Sequence, residues 1–352
     1  MWAMILKEFL ELRRDKRTMA MIVVLPLVLL VVFGYAANFH VDDVSTFVYG
    51  PHADAVAAQL HAPFVVDGVD PAGTAAQAEE ALRGREAGAV VMATGTGTES
   101  TVLIDGSDLF AAQSAAAAAA ASGGLLTPDV LFNPDLQTSW VMVPGLVGMI
   151  MAFIGTIITA IGLVRERQAG TLEQLAVMPF KASDVIGGKI APYFVLASVD
   201  MVLVTVLGSF LFDVPFTGNV AVLALGAGLF LFTVLGIGVL ISSVSQNQGQ
   251  AMQMALLTLM PQILLSGMIF PLDAMAAGVK WIGYLFPLTY FNMISNGVML
   301  RDAPLDSLAM PLGVLAGMAI LVFTAAVLRF RRDLAPAAPK AVRSPAPTGS
   351  GR

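Results

Sequence analysis

Between two long apolar runs lies a short polar stretch, Arg165 to Phe180, reading RERQAGTLEQLAVMPF. Thr171 is placed as a helix N-cap, and Gln174 stands where a side chain reaches back to the cap's own amide, the S/T-x-x-E/Q capping box. Glu173 in the first turn is favoured by the helix dipole. Gly170 frees the chain to turn before the cap, and Pro179 ends the helix near Met178. The spacing predicts a helix of about seven residues, about 10 Å long, with Leu172 and Leu175 on it and Arg165, Glu166 and Arg167 at its root. Such a peg suits docking to a soluble partner. An ordinary capped loop helix between apolar segments carries the same signature.

Asp200 is the one charged residue well inside an apolar run. A carboxylate at the bilayer centre costs about 2.5–3.5 kcal/mol on insertion scales, so it must be paired, protonated or wetted. Thr156, Thr159, Tyr193, Gln253 and Gln262 are the available hydroxyl and amide partners. A proton relay wants a chain of titratable groups and the runs offer only this one, so an inter-helix hydrogen-bonding anchor is the better reading. His40, His52 and His61, near Asp42, Asp43 and Asp54, are spaced too loosely for a zinc site. No G-x-x-x-x-G-K-[ST] occurs, since Gly187-Gly188-Lys189 lacks the first glycine and the following hydroxyl. G-x-S-x-G and H-E-x-x-H are likewise missing, and there are no cysteines. The expectation is a chain that binds no nucleotide, cofactor or metal of its own, takes no nucleic acid and performs no covalent chemistry.

The elements that must position these residues are set by composition. Of 352 residues, 57% are hydrophobic and only 12% charged, with mean hydropathy +0.79, against about 25% charged in soluble domains. Six runs are long enough to span a bilayer: Met19–Asn38, Val141–Val164, Ala191–Phe212, Asn219–Val244, Gln250–Phe270 and Leu308–Leu328. With the N-terminus in the cytoplasm, fifteen of the 19 Lys and Arg fall inside, leaving Arg83, Arg85, Lys280 and Arg301 outside. That positive-inside bias places both termini in the cytoplasm. A cleaved signal peptide is the rival reading of the N-terminus, and Tyr35-Ala36-Ala37 makes a poor site for it.

The predicted organisation runs as follows. Residues 1–18 form a cytoplasmic amphipathic helix, with Trp2, Ile5, Leu6, Phe9 and Leu10 on one face, suited to the membrane interface. Residues 19–38 are the first span, kinked at Pro26. Residues 39–138 form an extracytoplasmic α/β domain. Its expected strands are Thr46–Tyr49, Phe64–Val66, Ala89–Met92 and Thr101–Ile104, and its helices Ala53–Leu60, Thr74–Gly84 and the alanine-rich Leu109–Ala121, with a low-complexity tether as the rival for Ala115–Ala121. Residues 139–329 hold five spans, the coupling stretch 165–180, and, at 268–288, two short re-entrant outer helices interrupted by Pro271, Lys280 and Pro287. Residues 330–352, rich in proline, are read as a disordered cytoplasmic tail.

Three stretches resemble one family, the ABC type-2 permeases, which are the membrane subunits of many bacterial ATP-driven exporters. Arg165-Glu166-Arg167 leading to Gly170-Thr171-Leu172-Glu173-Gln174-Leu175 is similar to that family's E-x-G-T-x-E segment between its second and third spans. Leu265 to Pro271, including Gly267, with Phe286-Pro287-Leu288-Thr289-Tyr290 resembles its re-entrant outer helices. Met21–Gly34 after a basic amphipathic helix resembles its interfacial helix and first span, and an acid in the third span, here Asp200, is common there. A large domain between the first two spans matches the subgroup that includes multidrug exporter subunits. The resemblance implies a multi-pass bacterial inner-membrane protein and a homodimer or heterodimer of six-span subunits. It also implies a separate pair of ABC ATPase subunits that hold ATP and Mg. Gly145, Gly148 and Gly155 are read as permitting close approach of the second subunit. The substrate expected from the apolar spans is hydrophobic or amphipathic. The rival classes are a membrane-anchored sensor acting through residues 39–138, and an intramembrane enzyme.

Overall fold

The computed structural model describes residues 41–94, 100–169 and 182–334. The predicted interfacial helix (Trp2, Ile5, Leu6, Phe9, Leu10), the first span, His40, the peg from Gly170 to Phe180 and the proline-rich residues 335–352 lie outside them.

The α/β domain is built on a five-stranded sheet of order β2-β1-β3-β4-β5. Its strands are β1 (Val44–Tyr49), β2 (Phe64–Asp70), β3 (Ala89–Met92), β4 (Ser100–Asp105) and β5 (Leu126–Leu131). All neighbours are parallel except β3 and β4. Strand β1 alternates buried and half-buried residues, because its side chains point to opposite faces. Val44 and Val48 meet α1 (Ala53–Ala57) and α3 (Leu109–Ala121) on one face. On the other face Phe47 and Tyr49 meet α2 (Ala75–Arg83). Helix α2 opens with a complete capping box between Thr74 and Gln77.

The alanine run is helix, not tether. Ala112, Ala115 and Ala119 are fully buried against the sheet, where their thin side chains let the backbone approach closely. Strand β5 was not expected, because Pro128 argues against a strand. It is tolerated since β5 is an edge, where a missing N–H breaks no ladder.

The helical region has four helices long and apolar enough to cross a membrane among the described residues. They fall within α4 (Thr138–Gln168), α5 (Ala182–Phe212), α6 (Val220–Val244) and α10 (Leu305–Leu334). Helix α4 relaxes into a π turn at Ile154–Ile158. Between α6 and α10 lie α7 (Gln248–Leu265), the short α8 (Ala277–Gly283) and α9 (Pro287–Arg301). Helix α6 is central, packing on α10, α9 and α4. Phe230 of α6 stacks on Phe291 of α9 at 4.9 Å between ring centroids.

Several expectations need correcting. The fifth run, expected from Gln250 to Phe270, forms the 18-residue α7, which carries Gln248, Gln250, Gln253 and Gln262 and ends earlier than expected, at Leu265, where Gly267 turns the chain at φ +82°. Across 268–288 two short helical segments follow one another, the 3-10 turn Leu272–Ala274 and α8. Pro287 does not interrupt a helix there but begins α9, in the first-turn position where its missing N–H is harmless. The last helix continues to Leu334, so the expected tail is helical at its start. Gly145, Gly148 and Gly155 face their own chain. A Cβ on them would meet Met268, Phe291 and Val234 respectively, so they are not free to receive a second subunit.

Candidate functional site

Two polar clusters stand at opposite ends of α4, and the residues of the first were singled out from sequence. Arg165, Glu166 and Arg167 form the last turn of α4, where cations complement the partial negative charge of the helix end. Arg167 Nη1 donates to the carbonyl oxygens of Ser242 at 3.0 Å and Ser245 at 3.2 Å. These are terminal acceptors of α6 that no intrahelical N–H reaches. Gln248 Nε2 of α7 donates to Gln168 Oε1 at 3.1 Å. Asn247 caps α7 by accepting from the Gln250 amide at 2.8 Å, and Gln250 Oε1 accepts from the Gln246 amide at 2.7 Å. The ends of α4, α6 and α7 are thereby clasped into one platform, from which residue 170 departs. Gly170, Thr171, Leu172, Glu173, Gln174 and Leu175 lie outside the described residues, so the sequence-predicted peg is represented by its root alone.

The intramembrane polar residues are not brought together as expected. Asp200 is half-buried on α5, and its Oδ2 is buried without a hydrogen-bond partner among the described residues. Thr156 instead donates to the Val234 carbonyl at 3.4 Å, and the Tyr193 hydroxyl lies against Gly162. Thr159 Oγ1 and Gln253 Oε1 are themselves unpartnered, while Gln262 is buried in α7. None of the five candidate partners holds Asp200.

At the other end of α4 the residues singled out in and beside the stretch 268–288 make a well-bonded corner. Gly267 makes the turn and Pro271 begins the 3-10 turn. Lys280 Nζ donates to Asp273 Oδ1 at 2.6 Å, pinning α8 to that turn. Thr289 Oγ1 donates to the Gly283 carbonyl at 2.6 Å and the Tyr290 hydroxyl to the Tyr284 carbonyl at 2.7 Å. Both lash α9, begun by Pro287, to the end of α8. Asn292 Nδ2 reaches back to Ser266 Oγ at 3.3 Å.

Sequence reasoning missed the partner of this corner. Arg301, the last residue of α9, donates to Asp105 Oδ2 at the end of β4 at 3.4 Å, and the two side chains are only 4% and 2% exposed. Nearby, Arg83 of α2 lies 3.6 Å from Asp302. Arg85 pairs with Asp108, the N-cap of α3, at 3.3 Å. Burial pushes the Asp108 carboxyl up from its ordinary value, against the opposing pull of Arg85. The signal available in the sequence was charge: Arg83, Arg85, Lys280 and Arg301 are the four cations assigned to one side, and all four are paired here. Among the described residues no group of His, Asp or Glu is placed to hold a metal ion.

Several long apolar helices packed side by side, with a clasped polar platform at one end and a folded α/β domain joined at the other, define an integral membrane protein of the permease class. The model of ABC-2 family transporter proteins matches residues 16–328, and the chain belongs to that family. It is 32% identical over 203 residues, 58% of this chain and 55% of that protein, to the Escherichia coli K12 protein named "Probable multidrug ABC transporter permease YbhR". It is 28% identical to that organism's "Probable multidrug ABC transporter permease YbhS", over 82% of this chain and 85% of that protein. It is 26% identical to the Dictyostelium discoideum "ABC transporter G family member 20", over 59% of this chain and 29% of that protein. The chain thus spans about half the length of YbhR.

Proposed function

We propose that this chain is the membrane-embedded permease subunit of an ATP-driven exporter of the multidrug type, working with a separate pair of ABC ATPase subunits and a second permease copy. Multidrug permeases are what YbhR and YbhS are named for, and the reading extends that name to this chain. The observation that carries the coupling part is the platform. Arg167 and Gln168 fasten the end of α4 to α6 and α7, so a push on the peg at Thr171–Met178 is delivered to three helices at once. ATP and Mg belong to the ATPase pair, and this chain supplies the moving path.

The six-span arrangement, cytoplasmic termini and outward placement of the α/β domain complete the proposal, resting on the charge bias and the resemblance. Helix α5 supports an apolar substrate or subunit surface: Val195, Val199, Val202, Val206 and Phe210 form an exposed apolar face without a charge to recognise a phosphate or sugar acid. A free-standing sensor domain is disfavoured by the buried pair that fastens the α/β domain to α9.

Gly170→Pro or Glu173→Arg should uncouple ATP hydrolysis from export in proteoliposomes while insertion and assembly persist. Wild-type export by such a variant would remove the peg from the mechanism.

A further inference from the structure

Taking the transport reading as given, we propose that Asp105 and Arg301 form a permanent ion-pair joint, through which the α/β domain and helix α9 move as one body during the cycle. The domain is then a working part of the outer gate.

Both sides of the joint are rigidly placed. Asp105 closes β4, whose register is set along its length by β5, and its Oδ1 accepts from the Ser107 amide at 2.9 Å. Its carboxylate is therefore held in position before Arg301 arrives. Arg301 closes α9, a helix buried along most of its length, fixed near its other end to α8 by Thr289 and Tyr290 and to α6 by the stack of Phe291 on Phe230. The chain leaves α9 through Asp302 in the left-handed conformation, φ +48°, which brings that carboxylate to Arg83 of the domain. Two ion pairs, from the last residue of α9 and from its C-cap, thus cross the boundary. Ala274, the last residue of the 3-10 turn, packs on the domain's apolar core, adding a third contact of a different kind.

A buried pair is poor evidence for stability, because apolar residues of similar volume are often as good or better. What charge adds is direction: each partner is strongly penalised if separated, so the joint resists opening. Arg301 lines a cavity of about 50 Å³ together with Arg85, Asp108, Ser266, Asn292 and Asn296. Arg301 Nε, Asn292 Oδ1 and Asn296 Oδ1 are buried there without protein partners. That is room for one or two waters among a donor and two acceptors. Val141 of α4 lines the same cavity. The helix that ends on the clasped platform therefore begins at the joint, about 45 Å away along its 31 residues.

The test uses the full chain in nanodiscs, alone and with whichever ATPase co-purifies. Because the chain has no cysteine, Glu80→Cys on α2 and Pro304→Cys just beyond α9, both exposed, can carry spin labels, diluted with an excess of unlabelled chain so that each complex holds one labelled pair. A single narrow distance, unchanged between nucleotide-free and ATP-trapped complexes, is expected. A distance that splits or shifts with nucleotide overturns the joint. Adding Asp105→Leu or Arg301→Met should broaden the distance and cut ATP-driven export of ethidium about tenfold, with ATPase activity retained, a coupling loss near the upper end for mutations between sites. The charge swap Asp105→Arg with Arg301→Asp should recover export. Should either single variant fail to fold, the apolar double variant Asp105→Leu with Arg301→Met serves in its place: full export together with a broad distance would overturn the proposal. Wild-type chain that never exports ethidium under ATP counts against the drug-like substrate, while the distance measurement still decides the joint.

Discussion

Replacing Gly148 of α4 by alanine tests the packing of the helical region, because two opposing effects are fixed by the geometry. In a helix interior Gly→Ala ordinarily gains about 1 kcal/mol from backbone entropy. At Gly148 the new Cβ would lie 2.5 Å from Phe291 Cδ1 and 2.8 Å from Leu288 Cδ1. Both neighbours are fully buried, and Phe291 cannot withdraw without breaking its stack on Phe230. Overpacking of this kind costs about 1–3 kcal/mol, so the balance for Gly148→Ala is a loss of about 0–2 kcal/mol, and Gly148→Leu should lose about 3 kcal/mol or more. Gly228 of α6 is the internal control. There a Cβ meets only Phe194 Cζ at 3.9 Å, an ordinary contact, so Gly228→Ala should gain up to about 1 kcal/mol. Thermal unfolding in detergent, followed by fluorescence-detected size exclusion, reads the order: Gly228→Ala above wild type, Gly148→Ala at or below it, Gly148→Leu lowest. If Gly148→Ala stabilises as much as Gly228→Ala, α4 and α9 do not pack as described.

Other perturbations follow from the polar clusters. Arg167→Ala removes two charge-assisted bonds to the end of α6, worth about 1.5–3 kcal/mol each when buried and less where half-exposed. Limited proteolysis near residue 170 should accelerate, and coupled ATPase activity should fall even though the peg sequence is intact. Asp108→Asn keeps an N-cap for α3 and removes a carboxyl whose pKa is raised in the fold. A group raised in this way favours the folded state when protonated, so wild-type stability should drop as pH rises from the unfolded value, about 3.9, through the folded one. The Asn variant should lack that component in pH-dependent melting, and an unchanged profile would refute the assignment. Asp200→Asn should keep most export activity if the side chain serves as a polar contact. A correctly assembled variant that is inactive would assign it a titrating role.

Much of the α/β domain was legible because its elements are short and punctuated. The helices expected over Thr74–Gly84 and Leu109–Ala121 correspond to α2 and α3, and the β-branched runs of β1 and β3 hold no competing period. Strand β5 was hidden by Pro128, whose edge position no local pattern reveals. In the apolar region, hydropathy located α4, α5, α6 and α10 but said nothing of helix partners, because every face of such a helix is apolar. The glycines of α4 were therefore read as facing a second subunit, and only tertiary packing shows that they meet Met268, Phe291 and Val234 of their own chain. The platform and the joint were illegible for a similar reason. Arg167 meets Ser242 and Arg301 meets Asp105 across 75 and 196 residues, and no spacing rule reaches that far. The resemblance named the stretches at both sites, Arg165–Leu175 and Leu265–Tyr290, without naming what they touch.

The central claim is that this chain is driven by an ATPase docked beside the clasped root. It is tested most directly by tagging the chain, solubilising it mildly with its lipids, and measuring bound partners and ATP hydrolysis with and without Glu173→Arg. A stoichiometric ATPase in the wild-type preparation, lost or decoupled in the variant, is the predicted result. Wild-type protein that recovers no ATPase in detergent or in nanodiscs, from cells expressing its neighbouring genes, would contradict the account.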